Sequence, residues 1–326
     1  MPLKKILVTG AAGFIGYHTC QKLLSKNIKI YGIDNLNNYY DVKLKKERLR
    51  ILKKNKKFSF LKVDISNYDK LSKIFRDKKV DYIIHLAAQA GVRYSIKNPK
   101  IYTNSNLVGF ANILEISRIK KIKHLIFAST SSVYGENKKF PAKENYSTDH
   151  PISYYAATKK SNEVMAYSYS YIYNIPITGL RFFTVYGEYG RPDMALFKFC
   201  KKILENKKIE LFNYGNHTRD FTHIDDVSEI VARVIEKKPK KNIPFEIFNI
   251  SSNKPEMLRK YVRHLEKNLK KKIKVNLIKR QLGDIKKTHG DNKKILKLTK
   301  YKLKSNLSDG VKKFVNWYLN EFKKKK

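Results

Sequence analysis

Short apolar runs alternate with longer stretches of helical periodicity through the first half of the chain. Strands covered on both faces are almost continuously apolar, so this alternation predicts parallel strands joined by crossover helices. The predicted strands are Lys5–Val8, Ile28–Ile33, Phe58–Val63, Tyr82–Leu86, Leu125–Ala128 and Ile177–Leu180. We therefore predict an α/β fold with a Rossmann-like, doubly wound parallel sheet.

A glycine-rich turn separates the first predicted strand from a predicted helix. Its bare backbone amides and the helix N-terminus can bind a pyrophosphate, which predicts a dinucleotide site. Asp34 ends the second predicted strand about 20 residues further on, where an acid binds the adenine ribose. Its carboxylate would repel a 2′-phosphate, so we expect NAD rather than NADP. The alternative is a tight turn followed by an aspartate that starts another turn. The predicted contacts in the glycine-rich turn are Gly10, Gly13, Phe14, Ile15 and Gly16.

Further candidate cofactor contacts follow the third and fourth predicted strands, whose carboxyl ends face the same crevice. A helix cap explains the aspartate among them almost as well, and close packing explains the alanines. Asn106, in the next predicted helix, can contact the cofactor or hydrogen-bond neighbouring strand ends. These contacts are Asp64, Ile65, Leu86, Ala87 and Ala88.

Tyr155 and Lys159 would share one face of a helix, one turn apart. A phenol titrates near ~10, so a base acting near neutrality needs its pKa lowered by ~3 units, or ~4 kcal/mol. A neighbouring cation supplies part of that. Two other Tyr-x-x-x-Lys matches, at Tyr39 and Tyr134, lie in a polar loop and across a turn. Only Tyr155 starts a long helical pattern, although an exposed tyrosine beside a solvated lysine remains the alternative.

Hydroxyl side chains follow the fifth predicted strand in the sequence Ser129-Thr130-Ser131-Ser132. They would lie beside Tyr155 and can hold a sugar hydroxyl. The alternative is a serine-rich turn that caps its own backbone.

The composition limits the class of protein and its partners but identifies no catalytic residue. The chain has 326 residues, 42% of them hydrophobic, enough for a large core and two lobes. The net charge of +42 comes mainly from lysines spread along the sequence, which favours solvated faces over a specific nucleic-acid partner. No apolar run has membrane-spanning length, so we expect a soluble, cytoplasmic protein without membrane insertion. Cys20 and Cys200 form no metal-ligand cluster, and we expect no metal.

Longer motifs resemble a known family. The chain is similar to the extended short-chain dehydrogenases that modify nucleotide sugars, and most similar to the UDP-glucuronate 4-epimerases. The likeness thins beyond Ser251, where Leu282 replaces a usual proline and His289-Gly290 replaces an aromatic residue followed by alanine. The motifs are Gly10-x-x-Gly13-x-x-Gly16, Asp34–Asp41, His85–Ala88, Ala90–Ser95, Ser129-Thr130, Tyr155-x-x-x-Lys159, Gly179–Gly187, Gly190–Phe197, Arg219–Thr222 and Gly283-Asp284.

The resemblance implies an NAD-binding Rossmann domain, residues 1–180 plus about 222–250, and a smaller C-terminal substrate lobe, residues 181–221 and 251–326. It also implies a homodimer and adds Asn35 to the cofactor contacts. Thr130, Tyr155 and Lys159 would be the catalytic residues, and the substrate would be a UDP-sugar. Arg219 would hold its diphosphate, Arg93, Thr184 and Arg191 its sugar, and Asp284 its uridine ribose; a surface ion pair is the alternative for each arginine.

The implied reaction inverts C4 of a UDP-hexuronate, UDP-glucuronate to UDP-galacturonate, through a 4-keto intermediate. Tyr155, with its pKa lowered by Lys159 and the nicotinamide cation, would move the proton. Ser131, Ser132 and Thr184 would grip the sugar carboxylate. Related 4,6-dehydratases and uronate decarboxylases carry a glutamate at the position of Ser132. The alternatives are a UDP-glucose or UDP-N-acetylglucosamine 4-epimerase, a UDP-glucuronate decarboxylase, or a non-catalytic NAD-sensing protein.

Overall fold

The computed structural model describes residues 4–281 and 283–323. The strands are β1 (Lys5–Thr9), β2 (Lys29–Asp34), β3 (Phe58–Lys62), β4 (Tyr82–His85), β5 (His124–Thr130), β6 (Ile177–Phe182), β7 (Thr184–Tyr186), β8 (Ile209–Phe212), β9 (Thr218–His223), β10 (Phe245–Ile250), β11 (Pro255–Met257) and β12 (Val275–Ile278). The α-helices are α1 (Phe14–Ser25), α2 (Val42–Leu52), α3 (Tyr68–Asp77), α4 (Val92–Lys97), α5 (Pro99–Tyr102), α6 (Gly109–Ile119), α7 (Tyr154–Tyr173), α8 (Ala195–Leu204), α9 (Ile224–Val234), α10 (Leu258–Leu269), α11 (Lys293–Thr299) and α12 (Leu307–Trp317).

Seven parallel strands form the main sheet in the order β3-β2-β1-β4-β5-β6-β10. The order reverses between β1 and β4, which is the switch point where such sheets bind ligands. The predicted Rossmann-like α/β fold is confirmed, and each of the six predicted strands is present. Two small sheets, β11-β9-β7 and β12-β8, lie outside the main one.

Strand periodicity divides the apolar side chains between the two faces of the main sheet. In β1, Ile6 and Val8 face the core that includes α1 and α9, whereas Leu7 faces the core that includes α6. A separate aromatic core joins α8, α10 and α12 around Phe197 and Trp317. This arrangement fits two lobes, although α11 packs on the first core through Ile295. The domain limits given above remain a prediction.

The glycine spacing is required by close backbone approach. Gly10 has a φ of +70°, and a Cβ there would lie 2.8 Å from the backbone nitrogen of Ala87. A Cβ on Gly16 would lie 2.0 Å from the Gly10 carbonyl oxygen. The turn therefore excludes side chains where β1, α1 and the segment after β4 meet.

Cys20 and Cys200 are buried and unpaired. In the described part of the chain, no helix is long and apolar enough to cross a membrane, and no group of three or more histidine, cysteine or acidic side chains is arranged to hold a metal ion.

Candidate active site

A single cleft of about 680 Å³ runs along the carboxyl ends of the main-sheet strands and across to the smaller sheets. It collects the predicted site residues from both halves of the chain, with Asn106 as the exception. Lining it are Gly10, Gly13, Phe14, Ile15, Gly16, Asp34, Asn35, Asp64, Ile65, Leu86, Ala87, Ala88, Arg93, Thr130, Ser131, Ser132, Tyr155, Lys159, Thr184, Arg191, Arg219 and Asp284.

Two carboxylates lie at neighbouring strand ends, in the part of the cleft where the adenine ribose is expected. Asp34 accepts hydrogen bonds from the backbone of Leu36 (2.8 Å) and Ala12 (3.2 Å), and burial raises its pKa. Asp64 accepts one from the Asn35 amide (2.8 Å). Burial acts to raise the pKa of Asp64, but hydrogen bonds from Asn35 and Ser66 outweigh it and lower the pKa. Both carboxylates therefore hold their own loops while facing the cleft.

Asn106 lies behind the cleft rather than on its wall. Its side chain accepts from the backbone nitrogen of Gln89 (2.8 Å) and donates to the Gln89 carbonyl (3.1 Å) and the Thr158 hydroxyl (3.0 Å). These bonds tie the segment after β4 to α7. Of the two uses expected for Asn106, the structure shows the structural one.

Helix α7 presents Tyr155 and Lys159 as predicted, with the hydroxyl of Ser153 accepting from the backbone of Ala156 at its start. Lys159 is 1% exposed and donates to the Asn162 amide oxygen (2.9 Å). Burial lowers the pKa of Lys159 to about 7, and the charge of Glu163 opposes this effect.

Tyr155 behaves differently from the expectation. Burial raises its pKa, while the Thr130 hydroxyl and the charge of Arg191 lower it. Lys159 is not among the groups that shift the pKa of the phenol, and its ammonium donates to Asn162. The protein groups alone therefore raise the pKa of Tyr155, whereas the hypothesis about Lys159 expects a lowered pKa.

The hydroxyl row begins inside β5, which continues to Thr130. The Thr130 hydroxyl accepts from the backbone of Ser132 (3.2 Å) and donates to its side chain (3.2 Å), so it also caps the short 3₁₀ turn Ser131–Tyr134. The hydroxyl row therefore caps its own backbone and also lines the cleft. The hydroxyls of Ser131, Ser132 and Thr184 are partly exposed in the cleft.

Two pairs of opposite charge line the substrate end. The Arg93 guanidinium donates to Asp284 (2.8 Å) and lies 4.0 Å from the centre of the Phe212 ring. Arg191 pairs with Asp193 (2.9 Å). The ion-pair alternative is therefore observed for both arginines, within the cleft rather than on an outer surface.

Arg219 has no carboxylate partner within salt-bridge distance among the described residues. It donates to the carbonyls of Thr218 (3.0 Å) and Lys286 (3.1 Å). Burial lowers its pKa to about 10; Asp284 opposes this, and Arg93 adds to it. Its positive charge is therefore not neutralised by a paired carboxylate, and an anionic ligand bound beside it would be stabilised.

The chain is similar to known proteins over most of its length. Residues 6–251 match the model of the NAD dependent epimerase/dehydratase family. The chain belongs to that family. It is 47% identical to the protein CapI of Staphylococcus aureus, covering 98% of this chain and 100% of the relative, and 41% identical to the UDP-glucuronate 4-epimerase of Thermodesulfobacterium geofontis, covering 95% of each.

A solved structure agrees over almost the whole length. The UDP-glucuronic acid 4-epimerase of Bacillus cereus, in complex with UDP-glucuronic acid and NAD, has a TM-score of 0.90 at 38% identity and covers 96% of this chain and 98% of its own. The predictions of an epimerase-family enzyme and of NAD as its cofactor are confirmed at the level of the family.

The residues at the switch point fit the family's cofactor. A Cβ on Gly13 would lie 2.9 Å from the Gly10 carbonyl oxygen, and α1 begins there without a side-chain cap. Bare amides at a helix N-terminus suit a pyrophosphate, and Asp34 faces the cleft where a ribose hydroxyl would donate to it. Leu282, the departure noted above, lies outside the described residues.

Sequence reasoning missed the charged pair beneath the hydroxyl row. Glu163 accepts from Ser129 (2.6 Å) and from two nitrogens of Arg181 (2.8 Å each), and both charged side chains are under 5% exposed. This pair fixes β5 and β6 to α7 directly below Thr130. An arginine inside an apolar strand was the available signal. Phe212 was also missed, because only the fold brings the end of β8 to Arg93.

Proposed function

We propose that this epimerase/dehydratase family member interconverts UDP-glucuronate and UDP-galacturonate with NAD bound. The observation that carries the proposal is that Thr130, Tyr155 and Lys159 line the same cleft as the hydroxyls of Ser131 and Ser132. The related Bacillus cereus enzyme, crystallised with UDP-glucuronic acid and NAD, supports it.

The reaction begins at the sugar 4-hydroxyl. Bound NAD supplies a hydride acceptor at C4 and the donor for the return step. The O4 proton goes to Tyr155 as the C4 hydrogen leaves as hydride, which yields a 4-keto sugar. Thr130 and Arg191 act to lower the Tyr155 pKa against burial, and a bound nicotinamide cation would lower it further.

Inversion requires the sugar to present its other face while the nucleotide stays bound. Arg219 anchors the diphosphate and Asp284 the uridine ribose, and Arg93 exchanges its carboxylate partner for the substrate. Hydride and proton then return to C4 and O4 on the opposite face. The net reaction consumes no cofactor, so the enzyme is an isomerase.

A uronate, unlike a neutral hexose, carries a carboxylate that can be lost during the reaction. In the 4-keto state it lies β to a ketone and leaves as carbon dioxide if its bond to C5 aligns with the carbonyl π system. Ser131, Ser132 and Thr184 can hold it out of that alignment by hydrogen bonds without adding a repelling charge. A serine at position 132 thus favours epimerisation over loss of carbon dioxide.

The test is to incubate the purified protein with UDP-glucuronate, UDP-galacturonate, UDP-glucose and UDP-N-acetylglucosamine, and to identify the products by NMR. We expect the two uronates to interconvert with only traces of UDP-pentose. Dominant UDP-pentose would make the protein a decarboxylase, and faster turnover of UDP-glucose a hexose epimerase.

Tyr155→Phe should lower turnover by at least ~100-fold, the scale of general acid–base catalysis, and leave UDP-sugar binding largely intact. Tyr154→Phe is the matched control, since its hydroxyl bonds Thr103 (2.6 Å) near the surface. Near-normal activity in Tyr155→Phe would make that phenol a bystander.

We also propose that the protein is a homodimer formed through α7. This helix of 20 residues, about 30 Å long, leaves Val164, Tyr171 and Ile172 58–66% exposed. A second copy can cover this apolar face, which suits the ~800 Å² per partner of a stable dimer. Light scattering should give twice the chain mass for the native protein and a monomer for Tyr171→Glu. A native monomer would contradict the proposal.

A further inference from the structure

Helix α2 carries a fully buried arginine that the reaction described above does not use. Arg48 is 0% exposed and heads the largest fully buried side chains of the described residues. No carboxylate of the described part of the chain pairs with it. Burying a guanidinium is costly unless its donors are satisfied in some other way. The two terminal nitrogens of Arg48 have such partners, whereas its Nε has none among the described residues.

The partners of Arg48 lie on three separate segments of the chain. One terminal nitrogen donates to the carbonyl of Ala12, inside the glycine-rich turn (2.8 Å), and to the Tyr40 hydroxyl (2.7 Å). The other donates to the carbonyls of Tyr189 (2.6 Å) and Gly190 (3.2 Å). One planar group therefore joins the cofactor turn to the segment after β7.

That segment carries the substrate arginine. Arg191 follows Gly190 directly and pairs with Asp193, which in turn accepts from the Tyr39 hydroxyl (3.1 Å). Tyr39 and its neighbour Tyr40 belong to the loop after Asp34. Three hydrogen bonds, two from Arg48 and one from Tyr39, thus fix the backbone before Arg191 and the side chain of its partner Asp193.

We propose that Arg48 is a positioning residue for the substrate: it holds the loop 187–194 against the Gly10–Gly16 turn, so that Arg191 meets the sugar of a UDP-uronate when the cofactor is bound. The inference rests on the proposed function in placing Arg191 on the sugar. Only an arginine suits the position, because a fork of donors must span carbonyls from two elements.

Arg48→Lys keeps the charge but concentrates its donors on one nitrogen, which cannot reach the Ala12 carbonyl and the carbonyls of Tyr189 and Gly190 together. The KM for UDP-glucuronate should rise by at least ~10-fold, and by more than the turnover number falls, because ground-state placement of the sugar is lost. Tyr40→Phe removes a single bond and should raise KM by roughly 2- to 3-fold. Arg50→Lys, an exposed residue of the same helix paired with Glu47, is the matched control and should leave KM unchanged.

Hydrogen exchange separates this inference from the choice of substrate. In the NAD-bound protein, Arg48→Lys should speed amide exchange in residues 187–194 by at least ~10-fold and leave β8 and α10 unchanged. This holds even if UDP-glucuronate is not turned over, an outcome that would refute only the proposed function. Unchanged exchange in the loop, or a KM equal to that of Arg50→Lys, would overturn the inference. If Arg48→Lys fails to fold, the same two measurements on Tyr40→Phe decide.

Discussion

Replacing Lys159 by methionine should give a more stable but inactive protein. Burial lowers the pKa of Lys159 from 10.5 to about 7. A difference of ~3.5 units means that folding with a protonated Lys159 costs ~5 kcal/mol. Methionine removes that cost but leaves the Asn162 amide oxygen without its donor, a loss of ~1–3 kcal/mol. The free energy of unfolding should therefore rise by ~2–4 kcal/mol below pH ~7.

The pH dependence gives this prediction its sign. Between the folded pKa of about 7 and the unfolded value of 10.5, the unfolded chain binds more protons than the folded one. Raising the pH through this window stabilises the native protein by up to ~1.4 kcal/mol per unit, and the variant lacks that gain. The advantage of Lys159→Met should thus be full below pH ~7 and vanish between pH ~8.5 and pH ~10. At higher pH the variant should be the less stable protein, by the ~1–3 kcal/mol lost at Asn162.

Urea unfolding of the cofactor-free proteins at several pH values, followed by circular dichroism, measures the difference directly. Lys160→Met is the control, because this lysine reaches Thr148 and Asp149 near solvent and should change stability by less than ~1 kcal/mol. A difference that does not vary with pH, or a Lys159→Met protein less stable than the native one near pH ~6, would refute the reasoning.

Three further substitutions test separate parts of the site. Asp34→Ala should weaken NAD binding and reduce the preference for NAD over NADP in a titration; an unchanged preference would remove Asp34 from cofactor selection. Glu163→Gln leaves the buried Arg181 without its charge partner and should lower the free energy of unfolding by ~3–5 kcal/mol in chemical denaturation. Glu47→Gln, which alters a surface pair with Arg50, should lower it by less than ~1 kcal/mol. Ser132→Glu places a like charge beside the uronate and should raise its KM by roughly 10-fold, the effect of ~1–2 kcal/mol of repulsion; an unchanged KM would move the carboxylate elsewhere.

The part of the cleft lining that is expected to bind the cofactor could be predicted because its signals are local. Gly10, Gly13 and Gly16 lie within one turn, and Asp34 ends a strand whose apolar run is continuous. Parallel strands bring their carboxyl ends to one edge, so the ends found along the sequence meet in space. The fold class followed from the same alternation.

The rest depends on contacts between distant segments. Nothing in the sequence distinguishes Glu163 and Arg48 from solvated charges on a helix. Only the fold shows that α7 and α2 bury them. The pKa of Tyr155 could not be predicted either, since the pattern shows Lys159 one turn away but not that burial raises the pKa of the phenol. The position of β10 in the main sheet came from the resemblance and not from the apolar pattern.

The late arrival of β10 has a consequence for synthesis on the ribosome. Strand β6 pairs with β10 along its whole length, yet β6 ends at Phe182 and β10 begins at Phe245. At ordinary rates of translation the intervening chain takes a few seconds to roughly ten seconds to emerge. During that interval the nascent sheet presents an open edge of apolar sequence, the kind of edge on which neighbouring chains aggregate. Expression should therefore benefit from slower initiation or from chaperones that cover this edge until Ile250 has left the tunnel.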